Sequence, residues 1–328
     1  MNQDISVIVP YYNEADTIST TLDRLVAQTF RPREIILVDS GSADQSYEII
    51  EDWFERNTER IREVKFINLK ANTGVPSSSK NEGIRVSKGK FVSFMDCGLT
   101  FSTDWLEKQV DFLNSGNFDV VSGGCYLEGV GLWDCSAVAQ TYGYKRFHPT
   151  VPSSLVKKSV FNRTGLFLEG RRSGYDVDWV NRLRTMGINR GINQDVVVRY
   201  NGINYAESLK ELFLKSVNYA ESTVGIHRYY YPYAHMILSA VFLFCLFVIP
   251  AWSAFLGIVY LIGRGYCVPV LKSRSFRLVE DHPLSLLTLP VAGLVIDVGK
   301  LIGFLKGLLR GQLFQIRNVI RRKDEKKI

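Results

Sequence analysis

Between Tyr229 and Gly263 the chain carries no Asp, Glu, Lys or Arg. A bilayer core asks for roughly 20 apolar residues per helix, so this run is too long for one span and just long enough for a hairpin broken near Pro250. Leu284 to Leu309 is again apolar, interrupted only by Asp297, Lys300 and Lys306. The C-terminal third is therefore expected to meet a membrane, by crossing it or by lying in its interface. A hairpin places Lys272, Arg274 and Arg277 on the same side as the N-terminal part, as the positive-inside rule prefers. A full third span would carry the basic tail to the far side, so the number of crossings stays open at this level.

Charge is segregated in the same way. The 328 residues hold 40 Lys plus Arg against 33 Asp plus Glu, a formal net charge of +7. Residues 1–228 are nearly balanced, with 27 basic and 28 acidic side chains, and the excess falls in the C-terminal loops and in Arg310 to Ile328. That distribution points to anionic lipid headgroups and away from nucleic acid. Cys97, Cys125, Cys135, Cys245 and Cys267 show no paired or metal-ligating spacing, which fits reduced thiols in a cytoplasmic chain. The start, MNQDISVIVP, has no charged segment followed by a long apolar run, so no secretory leader is expected.

The first 125 residues alternate buried strands with amphipathic helices. ISVIVP, EIILVDS, VKFINL and KFVSFMD read as strands; ADTISTTLDRLVAQT, SYEIIEDWFERN and SSSKNEGIRVS read as helices. In such open sheets ligands bind beyond the carboxyl ends of the strands, so polar groups after Val9, Val38 and Met95 should share one crevice. Closely spaced glycines from Gly123 to Gly174 predict short elements, followed by a helix over SGYDVDWVNRLRTMG and a strand over QDVVVRYN. The implied division is an α/β domain over 1–204, an amphipathic connecting helix over 205–228, membrane segments over 229–309 and a basic tail over 310–328. The connecting helix has two open readings, a surface-lying membrane helix or an ordinary packing helix.

The first strand ends in PYYNEADTI, the second in VDSGSADQS and the fourth in FMDCGL. In order and spacing these resemble family 2 glycosyltransferases of the GT-A fold, which begin with P-x-Y-N-E, continue with V-D-x-x-S-x-D-x-S/T and reach D-x-D after a strand. The resemblance covers roughly residues 4 to 200. It implies a GT-A nucleotide-sugar-binding domain with a Rossmann-like mixed sheet, followed here by C-terminal transmembrane or interfacial helices. Carried over residue by residue, Pro10, Tyr12, Glu14 and Asp39 form the nucleotide pocket. The ordinary alternative is that Asn13 to Asp16 cap a helix and Asp39 begins a turn.

NTGVPSSSKNEGI resembles the family's N-x-G-x-x-x-A-R-N-x-G-I, with Lys80 where Arg is usual. Lys80 keeps the charge for the nucleotide sugar but loses the planar fork; a solvated helix lysine is the open alternative. Asp96 aligns with the first Asp of D-x-D, whereas Gly98 replaces the second. A divalent cation, Mg²⁺ or Mn²⁺, would then have Asp96 as its one carboxylate ligand. Arg171, Arg172 or His148 are alternative partners for the leaving diphosphate. GYDVDWVNR resembles G-E-D-x-D-L-x-x-R with Tyr175 in place of Glu, which implies Asp176 as general base, with Asp178 and Arg182 bracing the site.

No Q-x-x-R-W follows, so single-sugar transfer is expected rather than polymerisation. The resemblance thus implies a membrane-attached inverting glycosyltransferase with a cytoplasmic catalytic domain. It would move one sugar from a nucleotide-diphosphate sugar to a lipid-linked or glycan hydroxyl in cell-surface glycan synthesis. A nucleotide-binding pseudoglycosyltransferase or a membrane scaffolding protein are the rivals. Asp297 and Lys300, one helical turn apart, are expected to pair with each other.

Overall fold

The computed structural model describes residues 4–200, 206–226, 230–248 and 250–324, arranged as two compact units. One comprises Met1–Leu127 and Phe147–Ile203, the other Glu128–Arg146 and Asn204–Ile328. The expected boundary at 204/205 and the last four residues of the basic tail lie outside the described residues.

The first unit is built on one mixed sheet of nine strands: β1 (Ile5–Tyr11), β2 (Glu34–Asp39), β3 (Lys65–Lys70), β4 (Phe91–Phe94), β5 (Leu99–Thr100), β6 (Val120–Tyr126), β7 (Phe147–Pro149), β8 (Leu155–Lys157) and β9 (Arg190–Tyr200). Their order is β3-β2-β1-β4-β8-β6-β9-β5, with β7 paired to β6. β1 runs parallel to both β2 and β4, and β8 enters antiparallel to β4. This is the mixed α/β sheet the sequence pattern implies. Every residue of β1 and β2 is buried, as continuous Val/Ile/Leu runs require when both faces are covered. Because side chains alternate across a strand, Val7, Val9, Ile35 and Leu37 enter one apolar cluster while Ile8, Ile36 and Val38 enter the other.

The predicted helices form at Ile18–Val26, Ser46–Arg56 and Pro76–Val86. Ile18, Leu22, Leu25 and Val26 of the first are buried, as their helical spacing requires. The last begins with proline, whose missing N–H costs nothing in a first turn. It lies so close to β1 that a Cβ on Gly83 would stand 2.5 Å from Ile8 Cγ2. The strand expected over KFVSFMD stops at Phe94; the Met95 N–H still bonds the Ile8 carbonyl at 3.1 Å, and the chain then turns away with Asp96.

In the second unit the apolar block forms helices Tyr231–Val248 and Pro250–Ile262, the latter continuing through a π-helical turn, Gly263–Cys267, into Val268–Ser273. Ala254–Ser273 and Ser285–Gly311 are long and apolar enough to cross a membrane. Gly299, Gly303 and Gly307 recur every fourth residue on the helix Ser285–Asp324, and the helix Leu209–Thr223 packs on that stripe: a Cβ at Gly299 would meet Ser216 Cβ at 2.8 Å. Small residues at this spacing let two backbones approach closely. The pairing expected between Asp297 and Lys300 is corrected: Asp297 bonds Arg264 Nε at 2.7 Å, while Lys300 reaches the Tyr231 hydroxyl at 3.2 Å. Arg264, presented by the facing π-helical turn, offers Asp297 a planar donor fork that an ammonium on its own helix does not match.

Replacing Gly83 by Val should therefore push the helix Pro76–Val86 off β1. Thermal unfolding should show a loss of about 1–3 kcal/mol; an unchanged melting temperature would mean that this helix is not seated as described.

Candidate active site

The parallel register sets Tyr11 directly beside Asp39, and β4 ends on the other side of β1. The three expected polar strand ends thus meet at one edge of the sheet. Pro10 lies in β1 opposite Val38. Ile8 directs its carbonyl to the β4 side and Tyr11 its carbonyl to Ser40 on the β2 side, so alternation turns the Pro10 nitrogen toward β4, past the last paired residue, where no N–H is needed.

Beyond β1 the backbone is held by the segment after β2. Asn13, in the left-handed region at φ 54°, accepts from the Ala43 N–H at 2.8 Å and donates its own N–H to Ser42 Oγ at 3.0 Å. The Glu14 N–H donates to Ser46 Oγ at 2.7 Å and the Ala15 N–H to Asp44 Oδ2 at 3.0 Å. Hydrogen bonds to Ser46 and to the two backbone N–H groups hold the Asp44 carboxyl below the usual range despite the opposing cost of its desolvation. Asp39 is buried and accepts from the N–H groups of Gly41 and Ser42 at 3.0 and 2.8 Å through Oδ1. Such double backbone ligation fixes a carboxylate. Tyr12 is 48% exposed and presents an aromatic face at the rim.

Lys80 is the surprise of the site. It is completely buried, and its Nζ sits 2.6 Å from Asp96 Oδ1 and over the Tyr175 ring at 5.7 Å. Burial pulls its pKa down, but the charge of Asp96 and hydrogen bonds to Asp96 and Tyr175 outweigh this, so the lysine is held charged. Burial, opposed by Lys80 and aided by Asp96 and Asp176, pushes the Tyr175 phenol up to about 12, so it stays neutral at physiological pH. The solvated-lysine reading is therefore not what folds. Asp96, 33% exposed, is the member of this trio that opens to solvent.

The helix bearing Lys80 also anchors the loop that leads to Asp176. Asn81 exchanges two hydrogen bonds with the Phe167 backbone at 2.9 and 3.0 Å; Ser78 and Ser77 receive the N–H groups of Gly170 and Arg171 at 3.1 Å each. The helix Tyr175–Thr185 then opens on Gly174, in the left-handed region at φ 76°, with Asp176 and Asp178 in its first turn. Asp178 bonds Arg182 Nε at 2.7 Å, and Arg182 reaches the Leu166 carbonyl at 2.9 Å. No described residue hydrogen-bonds or ion-pairs with the Asp176 carboxylate, which is partly exposed.

Residues that the sequence motifs do not single out complete the frame. Thr17 donates to Glu14 Oε2, and Thr21 Oγ1 receives the Gly98 N–H at 3.1 Å while lying 3.5 Å from Cys97 Sγ. Tyr11 donates to Asn68 Oδ1 at 2.8 Å. Their signal is only the recurrence of Thr17 and Thr21 at helical spacing on the face turned toward FMDCGL. Of the alternative cationic partners, Arg171 begins the loop tied to Ser77, Arg172 is exposed and His148 lies in β7.

Among the described residues no group of three or more His, Cys, Asp or Glu could hold a metal ion. Gly98 has φ 77°, which an L side chain rarely adopts, and a Cβ there would approach Glu14 Oε2 to 3.5 Å. The second carboxylate of the motif is replaced here by a glycine whose backbone disfavours any side chain, and Asp96 already meets one cation, Lys80. What fits is a single oxygen ligand for an ion whose other ligands come from phosphate and water.

The family model Glycosyl transferase family 2 matches residues 6–184. Among curated relatives, glycosyltransferase AglE of Haloferax volcanii is 26% identical over 220 residues, 64% of this chain and 70% of that protein. Glycosyltransferase EpsJ of Bacillus subtilis is 35% identical over 124 residues, 38% of this chain, and glycosyltransferase GlyG of Streptococcus pneumoniae is 33% identical over 126 residues, also 38%. The match spans 34% of the length of EpsJ and 40% of GlyG. Mannosyltransferase PcManGT from Pyrobaculum calidifontis, solved with GDP-Man and Mn²⁺, superposes with a TM-score of 0.56 at 18% identity, over 92% of this chain and 88% of that one. The likeness establishes the GT-A fold.

Lys80→Met should cost about 1–3 kcal/mol in stability, because it leaves Asp96 without its partner but lets it rehydrate. Chemical denaturation checks this; a variant as stable as the parent would show that the pair contributes nothing.

Proposed function

The chain belongs to glycosyl transferase family 2, and from that premise we propose that it is a membrane-attached, inverting enzyme that moves one sugar from a nucleotide-diphosphate sugar to a hydroxyl of a lipid-linked or growing glycan. Family membership supports glycosyl transfer from a nucleotide sugar. The observation that carries the finer reading is a partly exposed Asp176 with no partner, next to a trio in which every other charge is compensated.

In this reading Tyr12 and Asp39 receive the nucleoside, Pro10 and Glu14 shape the turn beneath it, and Asp96 faces the ribose and sugar. Lys80 is a positioning residue: sealed from solvent, it aims Asp96. Tyr175, kept neutral, sets its ring against the Lys80 ammonium. Asp176 accepts the proton of the acceptor hydroxyl as that oxygen bonds to the anomeric carbon. The bond from that carbon to the phosphate oxygen breaks on the opposite face, and the nucleoside diphosphate departs with the electron pair. One in-line displacement inverts the centre. A divalent cation, if bound, would be held through Asp96 and would supply charge for the departing diphosphate. The Mn²⁺ of PcManGT, a protein of the same fold, supports that option.

Attachment of the protein to a membrane rests on the two apolar helices and on the basic residues that flank them. Lys272, Arg274 and Arg277 favour a cytoplasmic catalytic unit by the positive-inside rule. A role in cell-surface glycan synthesis follows from a lipid-linked acceptor.

Asp176→Asn should lower transfer by about 10²- to 10⁴-fold while leaving nucleotide affinity unchanged; full activity in membranes containing the variant would refute the base assignment. For the cation, titrating a nucleoside diphosphate with Mn²⁺ or with chelator should show an Mn²⁺ effect that disappears in Asp96→Asn. An effect that persists there would place the ion elsewhere.

A further inference from the structure

The second unit holds ionised side chains for which sugar transfer has no use. Asp297 and Lys300 lie on the helix Ser285–Asp324, Arg264 in the π-helical turn and Lys272 in the helix Val268–Ser273. Arg264 Nε and the Tyr260 hydroxyl both donate to Asp297 Oδ2, at 2.7 and 2.9 Å. This ion pair is largely withdrawn from solvent, at 13% and 17% exposure. Arg264 also donates to the side-chain oxygen of Gln140, whose amide group donates to the Leu289 carbonyl at 2.8 Å. Lys272 Nζ donates to the carbonyls of Gln140 and Thr141 at 2.8 and 3.0 Å, closing the helix Leu132–Thr141.

The charges do not balance. Three cations face one carboxylate, and Asp297 is already taken by Arg264. Lys272 is partly compensated by the negative end of a helix. Lys300 has only the Tyr231 hydroxyl and ring, at 3.2 and 5.1 Å, and no described anion within hydrogen-bond reach. The same helices also expose large apolar side chains, Leu271 beside Lys272 in sequence and Leu287 further along the helix of Lys300, at 73% each. Excess cations on such helices are expensive in lipid unless an anion joins them. A π-helical turn, which places Arg264 out of regular register, recurs at functional sites.

We propose that Lys300, with Lys272 and Arg264, binds the phosphate or diphosphate head of a lipid whose apolar chain lies along these helices. A phosphate supplies the missing negative charge and several acceptors, and the chain covers the exposed leucines, so a lipid phosphate satisfies both features where a free phosphate satisfies one. That this head belongs to the lipid-linked acceptor rests on the reading given under Proposed function. The attacking oxygen would then be a sugar hydroxyl beyond the phosphate, which accords with a retained general base.

The test uses the full chain in phosphatidylcholine nanodiscs doped with a polyprenyl monophosphate. Saturable binding is expected, competed by phosphatidic acid, not by inorganic phosphate, and absent for the uncharged polyprenol. Lys300→Gln should weaken binding about tenfold, Lys300→Arg should restore it, and Lys306→Gln, an exposed residue on the same helix, should leave it unchanged. Nucleoside diphosphate affinity should be constant across the set, which separates charge loss from misfolding. Equal binding of polyprenol, equal competition by inorganic phosphate, or full binding by Lys300→Gln overturns the site; the first two are read on the unaltered protein. Transfer is read separately on a polyprenyl diphosphate that already carries a sugar: binding of that lipid without transfer supports the site and counts against the acceptor reading, whereas transfer to it that Lys300→Gln leaves intact does the reverse.

Discussion

Parallel pairing of β1 with β2 on one side and β4 on the other is the constraint on which the catalytic unit depends. Parallel neighbours end at the same edge, so Tyr11, Asp39 and Met95 finish side by side although they are far apart in sequence. The pairing is strong because both faces of β1 and β2 are buried, and a slip of one residue would exchange the two apolar clusters wholesale. Chemistry is then added after the strands, in segments held mainly by side-chain caps to backbone N–H groups.

Lys80 links that scaffold to the reaction. A buried ammonium is tolerated only when its charge is answered, and Asp96 and Tyr175 answer it from two different segments. The helix that carries Lys80 is pressed on β1 by Gly83 and tied to the 167–171 loop by Asn81, Ser77 and Ser78. Displacing any of these contacts would move Asp96 and the approach to Asp176 together. Of the three departures from the family pattern, Lys80 keeps a positive charge, whereas Gly98 and Tyr175 each remove a carboxylate. They leave a site with less negative charge, in which a protein cation rather than a second acid neighbours Asp96.

The second unit uses polar chemistry differently. Its glycine stripe lets helices pack by backbone contact, and its ionised residues are gathered at one place rather than spread over the apolar surface. Gln140 illustrates the economy: one amide bonds Arg264 and the Leu289 carbonyl, so helices from three parts of the chain share a single polar hub.

Sequence by itself determined the strand and helix order up to β4, the segregation of charge from apolar residues, and the identity of the polar groups at those strand ends, because these follow from local periodicity and from motifs a few residues long; the short strands β5 to β8 carry too little periodicity to be read that way. It also determined that Gly98 and Tyr175 change the chemistry, since substitutions within a recognised motif are visible without coordinates. Tertiary structure alone decided that Lys80 is a sealed partner of Asp96 and not a surface lysine, that Asp297 pairs with Arg264 and not with Lys300, and that residues 128–146 group with the C-terminal helices. Each of these depends on contacts between segments remote in sequence. Burial and charge pairing are properties of the assembled neighbourhood, and neither spacing nor residue type encodes which distant group will arrive.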